Sequence, residues 1–583
     1  MKKVILLLVF FAACQKPQDE DWRTYYEKSN FLETPRYEET VAYIQRLTQS
    51  SPWVKLQYFG VSPMGRKNPV VIIDKSKNFS PAQARKDRKV ILLIQAGIHA
   101  GEIDGKDAGL MLIRDMVISK KYEDLLDHVV ILFMPFFNVD GHERFGPYNR
   151  INQNGPKEMG WRVTSQNLNL NRDYLKADAP EMRDWLKVFN DWLPDVLIDC
   201  HVTDGADYRH AVTYSIDLSQ NVAEPVRAWN KNVYVAYLSE KMAQAGFPLS
   251  PYVYLIDDLD IAKGINGAVA PPRFSTGFGA IQNRPALLIE THMFKDYKTR
   301  VDGTYQMLLH SLEVVNKEYG SLIETNQKAD EMSKTLTGKF LPIDFASDRK
   351  ADTLNFLGYN FHTEKSAVSG GPIVVWEQSL RDYRLPFFSS MVNADSAEAP
   401  YAYIVPKQWN FVVDVLKAHH VQMEKLPKAK TFHIQSYLFQ DVQWAKASFE
   451  GRVGVTFGTK GIAEDRMFDE GDYVIKLNQR SARVIMHLLE PRAPDSFVRW
   501  GFFNSVMEQK EFGEAYKLEL LARDMIAKDP NLKKEFDEKV KSDSAFAKNE
   551  YGRLNWFYMH SPYWDEQVNR YPVGKIMSEG DLK

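Results

Sequence analysis

The sequence predicts an α/β fold, with a mostly parallel, mixed central sheet flanked by helices and a strand-rich α+β C-terminal region after it. Three observations lead there. Continuous apolar runs at 90–96, 129–135, 196–200 and 286–291 read as strands buried on both faces. Helical patterns at 103–118, 179–192, 223–245 and 302–319 alternate with them, as a parallel sheet with covered faces requires. After about residue 325 this alternation stops and short strand patterns mix with helical ones.

The first elements stand apart from that layer. Lys2 and Lys3 precede an apolar run at 4–11 and then Ala12, Ala13 and Cys14, which reads as an export signal too short to span a membrane. Phe11-Ala12-Ala13-Cys14 resembles a bacterial lipoprotein processing site. That resemblance implies cleavage before Cys14, lipid on its sulfur, and a chain tethered in the cell envelope, facing periplasm or cell surface. A plain secretory signal is the alternative. Residues 15–30 read as a polar tether, 37–47 as a short helix, and 55–60 and 69–74 as a hairpin turning at Pro63-Met64-Gly65-Arg66.

The alternating layer then forms a unit over 31–326. Residues 327–336 read as a polar linker. An α+β region at 337–440 contains one helix at 409–418. Residues 441–583 read as β-rich and then helical, with strand-like alternation at 472–477 and 483–489 and charged helices over 505–548.

Bulk composition narrows the function. The chain has 583 residues, 44% hydrophobic and 26% charged, with a formal net charge of −2. That balance leaves no basic footprint, so nucleic acid is not an expected partner. The two cysteines are Cys14 and Cys200. With Cys14 lipidated no intrachain disulfide is expected, and stability must come from the core. No later stretch reaches the roughly 18 apolar residues of a membrane span.

The chemistry-bearing residues collect at the carboxyl ends of the predicted strands, where open α/β sheets place ligand sites. His99-Ala100-Gly101-Glu102 follows the strand at 90–96, and glycines at 97 and 101 ease a turn that lets both side chains converge. His201 ends the strand at 196–200. Two imidazoles and a carboxylate form an ordinary catalytic zinc set, the fourth position going to water. Glu290 ends the strand at 286–291, where a buried carboxylate is costly unless paired or used; it is a candidate general base or a structural ion pair. In Asn167-Leu168-Asn169-Leu170-Asn171-Arg172, the adjacent Asn171 and Arg172 suit a carboxylate ligand. His142-Glu143 reads as a charged loop rather than a second metal site, and His292 and Cys200 as packing residues.

Taken in order, these motifs resemble the M14 zinc carboxypeptidases: His99 and Glu102, then Asn138-Val139-Asp140-Gly141, Asn171-Arg172, His201 and Glu290, over about residues 35–320 and not beyond. Gly60 and Gly65-Arg66 resemble the family's first hairpin. The resemblance implies one zinc ion held by His99, Glu102 and His201, with Glu290 as base. It implies that Arg162 stabilises the oxyanion, with Arg144 and Arg150 as rivals, and that Asn171 and Arg172 bind the substrate's terminal carboxylate. Three positions depart from the family: Asn169 stands where an aspartate usually orients a ligand histidine, Thr203 stands where a tyrosine is usual, and the mobile capping tyrosine has no clear match. Arg273 lies near that last place and is expected to contact an acidic group of the substrate. The expected substrate is a peptide. Peptidoglycan stem-peptide hydrolysis or deacylation on the same fold is the alternative, and a non-catalytic peptide-binding protein the second.

Overall fold

The computed structural model describes residues 21–582 apart from Asp204. The expected export signal, with Cys14, falls outside the described residues.

The hairpin of β1 (Val54–Val61) and β2 (Lys67–Ile73) precedes β3 (Val90–Ala96), β4 (Val129–Met134) and β5 (Val196–Thr203). Shorter strands follow: β6 (Val212–Ser215), β7 (Ser250–Pro251), β8 (Tyr254–Leu255) and β9 (Ile265–Asn266), and then β10 (Ala286–His292). Eight of them form one sheet in the order β1-β2-β4-β3-β5-β10-β6-β7. Its centre is parallel: β4 with β3, β3 with β5, and β5 with β10. The β1–β2–β4 side and the β10–β6 pair are antiparallel, so the sheet is mixed as expected.

The central strands are apolar throughout because both faces are covered. Every residue of β3 and β4 is buried. Alternate residues of β3 serve opposite cores: Val90, Leu92 and Ile94 pack with Ile113 of helix Asp104–Val117 and Leu308 of helix Tyr297–Lys317. Ile91 and Leu93 pack on the other side with Trp185 of helix Pro180–Trp192 and Phe278 of helix Ser275–Ile281.

The C-terminal region is built on that second face. β11 (Phe340–Ser347) pairs with β14 (Met391–Glu398), and β12 (Asp352–Lys365) with β13 (Pro372–Phe388) in a hairpin of 14 and 17 residues whose end pairs with β9. β15 (Ala402–Val405), β16 (Glu424–Lys425), β17 (Lys430–Trp444), β18 (Val455–Phe468), β19 (Tyr473–Lys476) and β20 (Gly574–Ile576) make a further sheet in the order β16-β19-β15-β20-β17-β18. Tyr403, Val484, Leu488, Phe497 and Phe503 of this region share one continuous core with Phe137, Tyr174, Trp185 and Phe278.

The structure corrects several sequence expectations. Residues 21–30 are packed rather than tether-like: Thr24 caps helix Tyr25–Lys28, and Tyr26 is fully buried between Phe31 and Tyr297. The predicted linker at 327–336 is largely helical, within Tyr319–Ser333, and is tied to the α/β layer by Asp330, which accepts from both Arg284 and Asn283. The strand expected at 483–489 is the helix Ala482–Leu489, buried along its whole length. Its polar residues, Arg483 and His487, stand four apart, a spacing that fits one helix face and a period of two alike, so periodicity did not separate helix from strand. Among the described residues no helix is long and apolar enough to cross a membrane.

Candidate active site

After β3 the chain turns sharply at Gly97, whose φ of +63° suits glycine. A Cβ on Gly101 would lie 2.7 Å from the Gly160 carbonyl oxygen and 2.9 Å from Arg150 Cγ, so this loop is pressed against the one that carries the arginines. The turn points His99 and Glu102 the same way. His201 lies inside β5, one residue past the Ala96–Cys200 pairing.

These three residues converge, all buried, with ligand atoms within 4.8 Å of one another. Glu102 stands between the imidazoles: His99 Nδ1 is 3.1 Å from Oε1 and His201 Nδ1 is 2.9 Å from Oε2. The outer nitrogens also face oxygens, with His99 Nε2 3.2 Å from Asn169 Oδ1 and His201 Nε2 3.0 Å from Asp199 Oδ2. Asn169 Oδ1 already accepts the Asn171 N–H at 3.1 Å, so it is an acceptor. Each Nε2 therefore donates outward, which leaves each Nδ1 lone pair facing a carboxylate oxygen. Three electron-pair donors pointing at one another need a cation between them, and two imidazoles with one carboxylate suit zinc.

The charges divide: His99 is in its ligating form, whereas His201 without a metal favours the proton that a bound cation would displace. Burial holds His99 in its neutral, ligating form, with its pKa lowered to about 4. Burial also works against protonation of His201, but Asp199 and Glu102 outweigh it and raise its pKa. For Glu102 burial favours the neutral acid, yet His99, Arg150 and His201 hold it well below the usual carboxylate range. Asp199, fully buried, is a site residue absent from the sequence expectation. Its signal was present: in a strand, residues i and i+2 share a face, so a carboxylate two before a ligand histidine stands beside it.

Glu290 is set by register. It pairs with His201 across the parallel β5–β10 ladder, so the two side chains leave the sheet on one face. The Asn138–Gly141 motif is scaffold. Asn138 Oδ1 accepts the Gly141 N–H at 2.9 Å, and its Nδ2 donates to the Arg162 carbonyl at 3.3 Å. Asp140 accepts from Ser62 at 2.7 Å, Arg66 at 2.9 Å and Ser165 at 2.9 Å, which ties the first hairpin to the arginine loop. That loop brings two arginines to Glu102 Oε1, Arg150 at 2.8 Å and Arg162 at 3.5 Å. The third rival, Arg144, lies over the Trp161 ring instead, 4.5 Å from its centroid.

Residues 40–230 match the family model of the zinc carboxypeptidases. Over that segment the chain is similar to the M14 zinc carboxypeptidases. Carboxypeptidase 2 of Trichophyton rubrum is 23% identical over 488 residues, covering 80% of this chain and 84% of that protein. Probable carboxypeptidase 2 of Arthroderma benhamiae is 24% identical over 487 residues, covering 79% and 85%. Alignments of this length exceed the 35–320 segment, so similarity to these proteins continues into the C-terminal region, where no resemblance was expected. Among solved structures, a putative carboxypeptidase A from Shewanella denitrificans shares 19% identity, with a TM-score of 0.38 over 48% of this chain and 69% of that one.

Beside the metal cluster, following Asn169 in the chain, lie the Asn-Arg residues. Arg172 donates to the Asn171 carbonyl at 2.7 Å and stacks on Phe274, 4.2 Å from the ring centroid. Among the described residues it makes no ion pair. Burial, and then the like charge of Arg162, lower its pKa, while Glu450 and Tyr254 act in the opposite direction. Neither Glu450 nor Tyr254 was anticipated here. Arg273, expected to meet a substrate carboxylate, instead binds the chain's own Asp495. Its Nε is 2.6 Å from Oδ1, its backbone N–H donates to Oδ2 at 2.7 Å, and its guanidinium lies over Trp500. Asp495 is fully buried, and removal of Arg273 would leave its charge buried and unpaired. Arg273 therefore fastens the C-terminal region beside the site. His142 is likewise structural, held between Lys106 Nζ at 3.0 Å and Glu143 at 3.0 Å.

Proposed function

We propose that this protein is an exported zinc carboxypeptidase that hydrolyses the peptide bond before a free C-terminal carboxylate. Arg172 carries the reading: a partly buried guanidinium beside the metal cluster, without an ion pair among the described residues, suits an anion from the substrate. Asn171 stands next to it to share that anion.

His99, Glu102 and His201 would hold zinc, which would supply Lewis acidity toward water and the scissile carbonyl. Glu290, on the same sheet face as His201, takes the proton of the attacking water and passes it to the leaving amine. Arg150 is the closer arginine to Glu102 and secures that carboxylate. Arg162, with 39% of its side chain exposed, is the one free to donate to the carbonyl oxygen as it becomes negative, an effect of roughly 3 kcal/mol.

The test uses purified zinc-loaded protein and matched peptides with free and amidated C-termini. Free-acid peptides should lose residues one at a time, and amidated ones should resist. Glu290→Gln should keep its zinc and lose activity by about 100-fold or more. Equal cleavage of amidated peptides would favour an amidase or peptidoglycan-peptide hydrolase, and a fully active Glu290→Gln would remove Glu290 as base. Export rests on residues 2–14. Cys14→Ser should move the protein from the membrane fraction to the aqueous one, and an unchanged partition would rule out the lipid anchor.

A further inference from the structure

The loop joining β17 to β18 ends in a tip that lies on the Asn-Arg segment. There the Glu450 carboxylate accepts the Asn169 N–H at 3.3 Å, across 281 residues of sequence. Asn169 is the residue whose side chain meets His99, and Arg172 follows three positions later.

The tip is firmly anchored. Arg452 grips Asp178 with two hydrogen bonds of 2.7 and 2.6 Å, and its guanidinium lies 3.5 Å from the Phe502 ring centroid. Phe449 stacks on Trp500 with their planes 7° apart. Asn504 Nδ2 donates to the Val453 carbonyl at 3.0 Å. Glu450 itself is only partly exposed and takes a φ of +50°, a strained setting for a non-glycine residue.

Glu450 and Arg172 thus stand on one rim, close enough for the carboxylate to act on the guanidinium, yet among the described residues neither makes an ion pair with any group. Two opposite charges held near each other but apart match a ligand that carries both charges at a fixed spacing. A C-terminal lysine or arginine is such a ligand, its carboxylate going to Arg172 and its side-chain cation to Glu450. We propose that Glu450, delivered by the C-terminal region, is a specificity-determining residue that selects peptides ending in a cationic residue. The proposal rests on the carboxypeptidase reading above.

The test measures kcat/KM of the full-length, zinc-loaded protein on one peptide ended in turn by Lys, Arg, Leu or Glu, each as free acid and amide. Lys and Arg should exceed Leu by about tenfold or more, the factor expected of one charge-assisted contact. In Glu450→Gln the Lys-to-Leu ratio should fall toward one, chiefly through KM of the cationic peptides. Glu450→Lys should invert the order in favour of Glu. Thermal melts of both variants establish that they are folded. Wild-type protein that trims Leu and Lys peptides equally, or variants with an unaltered ratio, would overturn the role of Glu450 and leave the carboxypeptidase reading standing. Cleavage of amides but not acids would overturn both.

Discussion

The two candidate ligand histidines differ in what stands behind them, and that difference predicts a measurable change in metal affinity. His99 is backed by a neutral amide, Asn169, and His201 by a carboxylate, Asp199, at 3.2 and 3.0 Å. In Asp199→Asn the hydrogen bond to His201 loses its charge. A charge-assisted bond exceeds a neutral one by about 1 to 1.5 kcal/mol, which is about a tenfold loss in affinity. Zinc affinity should therefore fall about tenfold, within the range usual for partners of ligand histidines. The site itself should survive, because Gln95 and Ser275 also hold position 199. The reverse change, Asn169→Asp, should tighten binding by a similar factor. The assay is competition for zinc between metal-free protein and a chromophoric chelator of known affinity, with melting of the metal-free variants as the control for folding. Zinc affinity within twofold of wild type in both variants would refute the claim that these outer partners tune the ligands.

Two further outcomes follow from the same packing. Glu181, buried in the first turn of helix Pro180–Trp192, has its pKa raised from 4.5 to about 7, first by burial and then by the charges of Asp140, Asp173 and Asp184. The folded chain holds this proton more tightly than the unfolded one, so stability is full below about pH 4.5 and falls as pH rises toward 7. Glu181→Gln should accordingly raise Tm by a few degrees at pH 8 and change it little at pH 5; equal shifts at both would contradict the cause given. A chain cut after residue 326 should be insoluble or lack a cooperative melt, because it would expose Trp185 and Phe278 to water; a soluble, cooperatively melting fragment would show that the shared core is dispensable.

The sheet and the metal triad were readable from sequence for a local reason. Strands buried on both faces must be apolar throughout, so 90–96, 129–135 and 286–291 declared themselves, and the polar residues at their ends stood out against them. The ligands needed only short covalent spacing, His99 to Glu102, plus the end of a neighbouring strand. The place of Asp199 beside His201 follows from the two-residue strand repeat.

Other features depended on contacts between distant segments, which no local pattern encodes. Residues 483–489 read as a strand because Arg483 and His487, four apart, fit a period of two as well as they fit one helix face, and only packing decides between them. Arg273 read as a substrate contact because its partner, Asp495, lies 222 residues away. The choice among Arg144, Arg150 and Arg162 depended on how one loop packs over Gly101. Glu450 reaches the site only because β17 and β18 project their connecting tip onto Asn169. The sequence alone determined which chemistry is present, since side-chain type and short spacing decide what can bind a metal. Tertiary structure alone decided what surrounds that chemistry, because the charges that shape a substrate site act through space and arrive from wherever the core places them.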